Sequence, residues 1–150
     1  MVEIRRLRQS DVPVALRLVQ DAYVRQTLVS PALPDALLCN PALATAPIEE
    51  AVANGAVGAV RSGRLIGFMG VSAVFGFKGQ RAVLINELSH AAEAPGVEEV
   101  YGSMYEALGS LPPLATSRLH IVAHLSGEEA LAARLHSLGF GQFLDRKSVV

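Results

Sequence analysis

Two β-rich runs, 56–61 and 64–75, meet at Ser62-Gly63. A two-residue connection of this kind reads as an antiparallel hairpin, and that commits the middle of the chain to a sheet. Gly58, Gly67, Gly70 and Gly76 weaken these strands and allow bulges or close packing. A second turn, Phe77-Lys-Gly-Gln80, leads to a strand over 82–89. On that strand Val83, Ile85 and Glu87 share one face, and Leu84, Asn86 and Leu88 the other.

The flanking segments keep helical spacing. Val2-Glu-Ile-Arg alternates as a half-buried strand, and Ser10-Asp11-Val12-Pro13 supplies a helix start. Ala15, Leu18, Val19 and Ala22 then predict a helix over 11–27. After the break at Glu93-Ala-Pro-Gly96, the positions Val97, Val100, Tyr101, Met104, Leu108 and Leu111 predict a helix over 97–110, ended by Pro112-Pro113. A strand over 118–125 and a helix over 127–138 come next, with Gly139 placed as its C-cap and a last strand over 140–144. The order describes an α/β (α+β) domain. Its twisted sheet is mostly antiparallel, turns parallel near the third helix, and is flanked by helices.

Composition limits what such a domain does. All 150 residues fit one domain, 1–150, and 51% are hydrophobic, enough for a proper core. A net charge of −1 gives no field to draw nucleic acid or anionic lipid. The longest uncharged apolar runs, 36–48 and 65–77, have 13 residues each, where a membrane span needs about 20. No apolar signal core follows the charged N-terminus, and the one cysteine, Cys39, allows no intrachain disulfide; both fit a cytoplasmic setting. Ser30 to Pro47 holds four prolines, which predicts an irregular loop serving as a substrate lid or a partner-contacting arm. A short helix is expected over 48–54. His120 and His124 lie four residues apart on one strand, roughly 13 Å, too far to share one ion, so no metal site is expected. Cys39 has no histidine or helix terminus near it in sequence to activate a thiolate, and reads as a small apolar residue.

This element order, with three local patterns, resembles the GNAT family of acyl-CoA-dependent N-acyltransferases. The patterns are Ile4-Arg-Arg-Leu-Arg-Gln-Ser-Asp11 with its helix, Arg64-Leu-Ile-Gly-Phe68 in the hairpin, and Leu131-Ala-Ala-Arg-Leu-His-Ser-Leu-Gly-Phe140. The resemblance covers nearly the whole chain. It implies transfer of an acetyl group from acetyl-CoA, as co-substrate, to a small-molecule amine or a peptide. The fourth and fifth strands would splay for the pantetheine arm. Glu87 is then the base and His90 the second candidate. Backbone groups of Leu88, Ser89 and His90 would hold the thioester. The turn into the third helix, with Val97, Val100, Tyr101, Gly102 and Ser103, would cradle the pyrophosphate. There Val97 and Val100 stand where the family places Gln or Arg and the first glycine, and Leu135 stands where it places a tyrosine acid. Glu98 and Glu99 also fit as first-turn acids complementing the helix dipole. A non-catalytic GNAT-like module for interaction or ligand sensing is the alternative. The family's last helix is followed by a two-strand hairpin, whereas the eleven residues 140–150 allow one strand of ordinary length or two very short ones with a turn; an uncovered sheet edge and a homodimer paired through the C-terminal segments are expected.

Overall fold

In the computed structural model the described residues are 2–29, 40–93, 96–125 and 129–141. They form β1 (Glu3–Arg6), α1 (Val12–Val29), α2 (Ala42–Asn54), β2 (Ala56–Arg61), β3 (Arg64–Gly70) and β4 (Ala73–Phe77). Then come β5 (Gln80–Ile85), β6 (His90–Ala92), α3 (Val97–Gly109), α4 (Pro112–Ala115), β7 (Leu119–Val122) and α5 (Glu129–Ser137). One strand group runs β1-β2-β3-β6 and the other β4-β5-β7. Every pairing is antiparallel except β5 with β7, where the sheet turns parallel.

The two groups are halves of one bent hairpin. β3 continues into β4 through Val71 and Ser72, and β5 into β6 through residues 86–89. The Gly70 N–H donates to the Ser89 carbonyl at 2.8 Å and the Ser72 N–H to the Leu84 carbonyl at 2.8 Å, so the bend is stitched from both sides. Between the pairs Ala73↔Leu84 and Met69↔His90 the returning strand carries two extra residues, a bulge that re-aims β6.

Here the structure corrects the expected strand over 82–89. Asn86 ends it. Its side-chain Oδ1 accepts from the Leu88 N–H at 2.9 Å and from the Ser89 hydroxyl at 2.9 Å, while its carbonyl accepts from the Ser89 N–H at 3.0 Å. This Asx-type turn offers the backbone partners that a ladder would otherwise supply.

Helices cover both faces. α1 and α2 pack Leu18, Val19, Ala44 and Ile48 against Phe68 and Leu65. α3 and α5 pack Val100, Tyr101, Met104, Leu131 and Leu135 against Val57, Met69 and Ile85. Gly67 permits the second contact, since a Cβ there would stand 2.9 Å from Val100 Cγ1. At the start of α1, Asp11 receives a bidentate bond from Arg5 at 2.8 and 3.0 Å and caps the Arg8 N–H at 2.8 Å. The Arg5 guanidinium holds its carboxyl below the usual carboxylate range.

α2 begins at Ala42, six residues earlier than expected over 48–54, with Pro47 inside it. Its buried stripe of Ala44, Ile48 and Ala51 outweighs the one donor that Pro47 lacks. Pro112-Pro113 end α3 as expected and then open the one-turn α4, where proline fits the first position. β7 stops at Val122, short of the expected 125. The rest of the expected lid, 30–39 with Cys39, and most of the expected last strand lie outside the described residues. Among the described residues no helix is long and apolar enough to cross a membrane.

Candidate active site

The parallel pair β5–β7 is the place where the sheet opens. Its last register position is Ile85↔Val122, after which the Ala123 N–H donates to the Ile85 carbonyl at 2.9 Å. Past that point the chain on one side bulges through 86–89 and joins β3, while the chain on the other side leaves the sheet. The gap between them is an interruption of the ladder, with no strand pairing among the described residues past Ile85 and Val122.

His90 stands in this gap. Its Nε2 lies 2.6 Å from the Ala123 carbonyl and its Nδ1 lies 2.7 Å from the Tyr101 hydroxyl. A carbonyl only accepts, so Nε2 carries a proton and donates to it, and Nδ1 and the tyrosine hydroxyl share the second bond. His90 is 3% exposed and Tyr101 1%, so the whole unit is sealed in the core.

Glu87 projects from the turn and is exposed, not on a strand face. It is thus open to solvent beside the gap, three residues from His90 in sequence. Leu88 and Ser89 were expected to offer backbone donors to a thioester. Their N–H groups are engaged by Asn86 within the turn. The Ser89 hydroxyl is fully buried and lies 2.8 Å from the Ser72 hydroxyl, which also takes the Asn86 N–H at 2.9 Å.

The expected pyrophosphate cradle divides in two. Val100 and Tyr101 face the core at 3% and 1% exposure and line no loop. Helical periodicity explains this: both sit on the stripe that includes Met104 and Leu108. Gly102 is buried beneath Arg134 of α5, and a Cβ there would stand 2.2 Å from the guanidinium Nη2. The guanidinium is the end of a flexible side chain and can shift, so this contact alone does not require glycine. Ser103 is exposed and bonds back to the Glu99 carbonyl at 3.4 Å. What remains for an anion is the first-turn N–H groups of α3 at Val97 to Glu99, ahead of the Val100 N–H···O=C Gly96 bond of 3.3 Å. Arg134 adds a cation whose buried Nε has no partner among the described residues.

Sequence reasoning missed Arg134, the Asn86–Ser72–Ser89 network and the partnership of His90 with Tyr101. A signal for the last was present. Tyr101 and Tyr105 lie one helical turn apart, and His90 and His120 sit on the strands that this helix covers. His120 indeed meets the Tyr105 hydroxyl through Nδ1 at 2.6 Å, whereas the Nδ1 of His124 lies 2.8 Å from the Leu125 carbonyl. Among the described residues no three His, Cys, Asp or Glu side chains come together as a metal site.

No protein-family model and no curated protein matches this sequence. Solved structures do match it in fold. A predicted acetyltransferase with acetyl-CoA from Clostridium acetobutylicum superimposes with a TM-score of 0.66 and 13% identity, covering 97% of this chain and 95% of that one. An aminoglycoside N-acetyltransferase in complex with CoA gives 0.60 and 17%, covering 97% and 91%. A transcriptional regulator from Bacillus halodurans gives 0.67 and 13%, covering 97% and 96%. From its strand order, its single parallel pairing and these likenesses, the chain has the fold of the GNAT acetyltransferases.

Proposed function

We propose that this chain is an acyl-CoA-dependent N-acyltransferase that moves an acetyl group to an amine of a small molecule or peptide. The observation that supports it most is the parting of β5 from β7 after Ile85 and Val122, in a fold shared with structures solved with CoA or acetyl-CoA. The donor set at the start of α3 suits an anionic group. The N–H groups of Val97 to Glu99 would hold it, and Arg134, a cation one helix away, would add charge. Acetyl-CoA, when bound, supplies an acetyl group activated as a thioester.

Glu87 is the base in this reading. Glu87 is exposed, so an incoming amine can reach it, while both nitrogens of His90 are engaged. As the new amide bond forms, the bond between the acetyl carbon and the CoA sulfur would break, Glu87 would take the proton that the amine loses, and CoA would leave as its thiolate, to be protonated from solvent. Titration calorimetry with acetyl-CoA and with CoA tests the reading. Binding tighter than about 100 μM, more than roughly 5 kcal/mol, is expected; no heat from either compound would sink it. Given binding, Glu87→Gln should abolish thiol release in the presence of amines and leave CoA affinity in place.

One observation favours the non-catalytic alternative: Leu135, at the family's usual acid position, is a buried core residue. CoA binding without thiol release toward any amine would select that alternative. The proposal extends to a homodimer. In this reading the C-terminal segments of two chains cover or extend each other's sheets. Light scattering at tens of micromolar should give the mass of two chains.

A further inference from the structure

The same residues that mark the gap also close it. Where β5 and β7 part, the next bond across the divergence runs from the His90 imidazole on β6 to the Ala123 carbonyl just past β7, at 2.6 Å. The ring cannot swing aside freely. Its other nitrogen is held by the Tyr101 hydroxyl at 2.7 Å, and the two rings meet edge to face with centroids 5.5 Å apart and planes at 81°. Tyr101 is in turn fixed by the packing of α3 on the sheet.

We propose that His90 is a clasp. Its bond to Ala123 must break before an extended, amide-bearing arm can enter between the strands, so His90 lowers the affinity of the site for acyl-CoA. This rests on the acyltransferase reading above. The logic is that of a population shift. A ligand that binds only the opened form is weakened by the fraction of molecules that are open. The clasp consists of one buried and one part-buried hydrogen bond, and each contributes modestly in net terms. The entering arm recovers part of that loss when it takes over the freed carbonyl. His90 thereby excludes chains too apolar to replace the bond, and admits those that carry a donor for Ala123.

The experiment compares CoA binding to the wild type, His90→Ala and the double variant His90→Ala with Tyr101→Phe, by calorimetry on the full chain. The double variant also removes the hydroxyl that His90 bonds in the core, so it guards against a single variant that fails to fold. Both variants should bind CoA about tenfold more tightly than the wild type, equivalent to 1.4 kcal/mol. In parallel, nitrogen-detected NMR of the wild type tracks the His90 Nε2–H signal. It should be protected from exchange in the free protein and should shift or vanish at saturating CoA. If the wild type binds CoA with that signal unmoved, or the variants bind it equally or more weakly, the clasp is refuted and the acyltransferase reading stands. If neither wild type nor variants bind CoA, that reading fails and the clasp fails with it.

Discussion

α3 carries two tyrosine–histidine pairs, one turn apart, built from the same parts. Tyr101 meets His90 Nδ1 at 2.7 Å and Tyr105 meets His120 Nδ1 at 2.6 Å. In each, the imidazole Nε2 lies against a backbone carbonyl: Ala123 at 2.6 Å and Leu114 at 3.0 Å. Both ring pairs are edge to face, with centroids 5.5 and 5.8 Å apart. Their surroundings differ. The first pair is enclosed by β6, α3 and the chain after β7. The second is half-buried and lines a cleft of about 290 Å³ with Arg118, Leu138 and Phe140. Bond lengths do not separate the pairs; access of water does. A group that loses its partner in the cleft can turn to solvent, whereas one that loses it in the core stays orphaned.

Removal of each histidine makes the difference largest. His90→Ala removes the bond between the Tyr101 hydroxyl and Nδ1 and leaves a void in the core, and should cost about 2–4 kcal/mol of stability. His120→Ala should cost about 0.5–1.5 kcal/mol, since water reaches the Tyr105 hydroxyl. Urea midpoints of the two variants, with m-values checked for constancy, would show this. Equal losses would break the comparison, because burial would then carry no weight.

Removal of each tyrosine hydroxyl gives the same contrast on a smaller scale. Tyr101→Phe preserves the packed ring but removes the hydroxyl bonded to His90 Nδ1, at about 1–3 kcal/mol. Tyr105→Phe should lose under about 1 kcal/mol. Its ring contact with Phe140 persists, with centroids 5.1 Å apart. A double cycle of Tyr101→Phe with His90→Ala should show strong coupling, and the matching cycle at Tyr105 and His120 weak coupling. Reversal of that order would assign the two pairs the opposite roles.

How far the sequence reveals these features depends on their range. The stripe Val97, Val100, Tyr101, Met104 and Leu108 has a period of 3.6, and α3 appears within one residue of the expected span. Strand starts and hairpin turns were equally local: Lys78 and Gly79 both take positive φ at the expected turn. The end of β5 was not legible. Alternation continues through Glu87 in the sequence, but Asn86 captures the Leu88 and Ser89 donors and Ser72 captures the Asn86 N–H. Ser72 lies fourteen residues away, on the partner strand. The setting of Gly102 was hidden for the same reason. Its neighbour Arg134 comes from a different helix, and no local pattern announces that contact.

The smallest effect lies at alkaline pH. Burial pushes the Tyr105 hydroxyl above its ordinary value, because the charged phenolate is disfavoured where water is partly excluded. The folded state therefore keeps this proton at a pH where the unfolded chain begins to lose it. Stability from Tyr105 is fully present below about pH 10, the unfolded value, and is lost as pH rises through the raised folded value. The site is open to the cleft, so the slope should be shallow. Phenolate absorbance of the wild type minus that of Tyr105→Phe isolates this one group from Tyr23 and Tyr101. Its midpoint should fall above that of a tyrosine in a short unstructured peptide. A midpoint at the peptide value would mean that water solvates the Tyr105 hydroxyl fully. The cleft would then be an open surface, and the contrast with the enclosed pair would be wider than the geometry indicates.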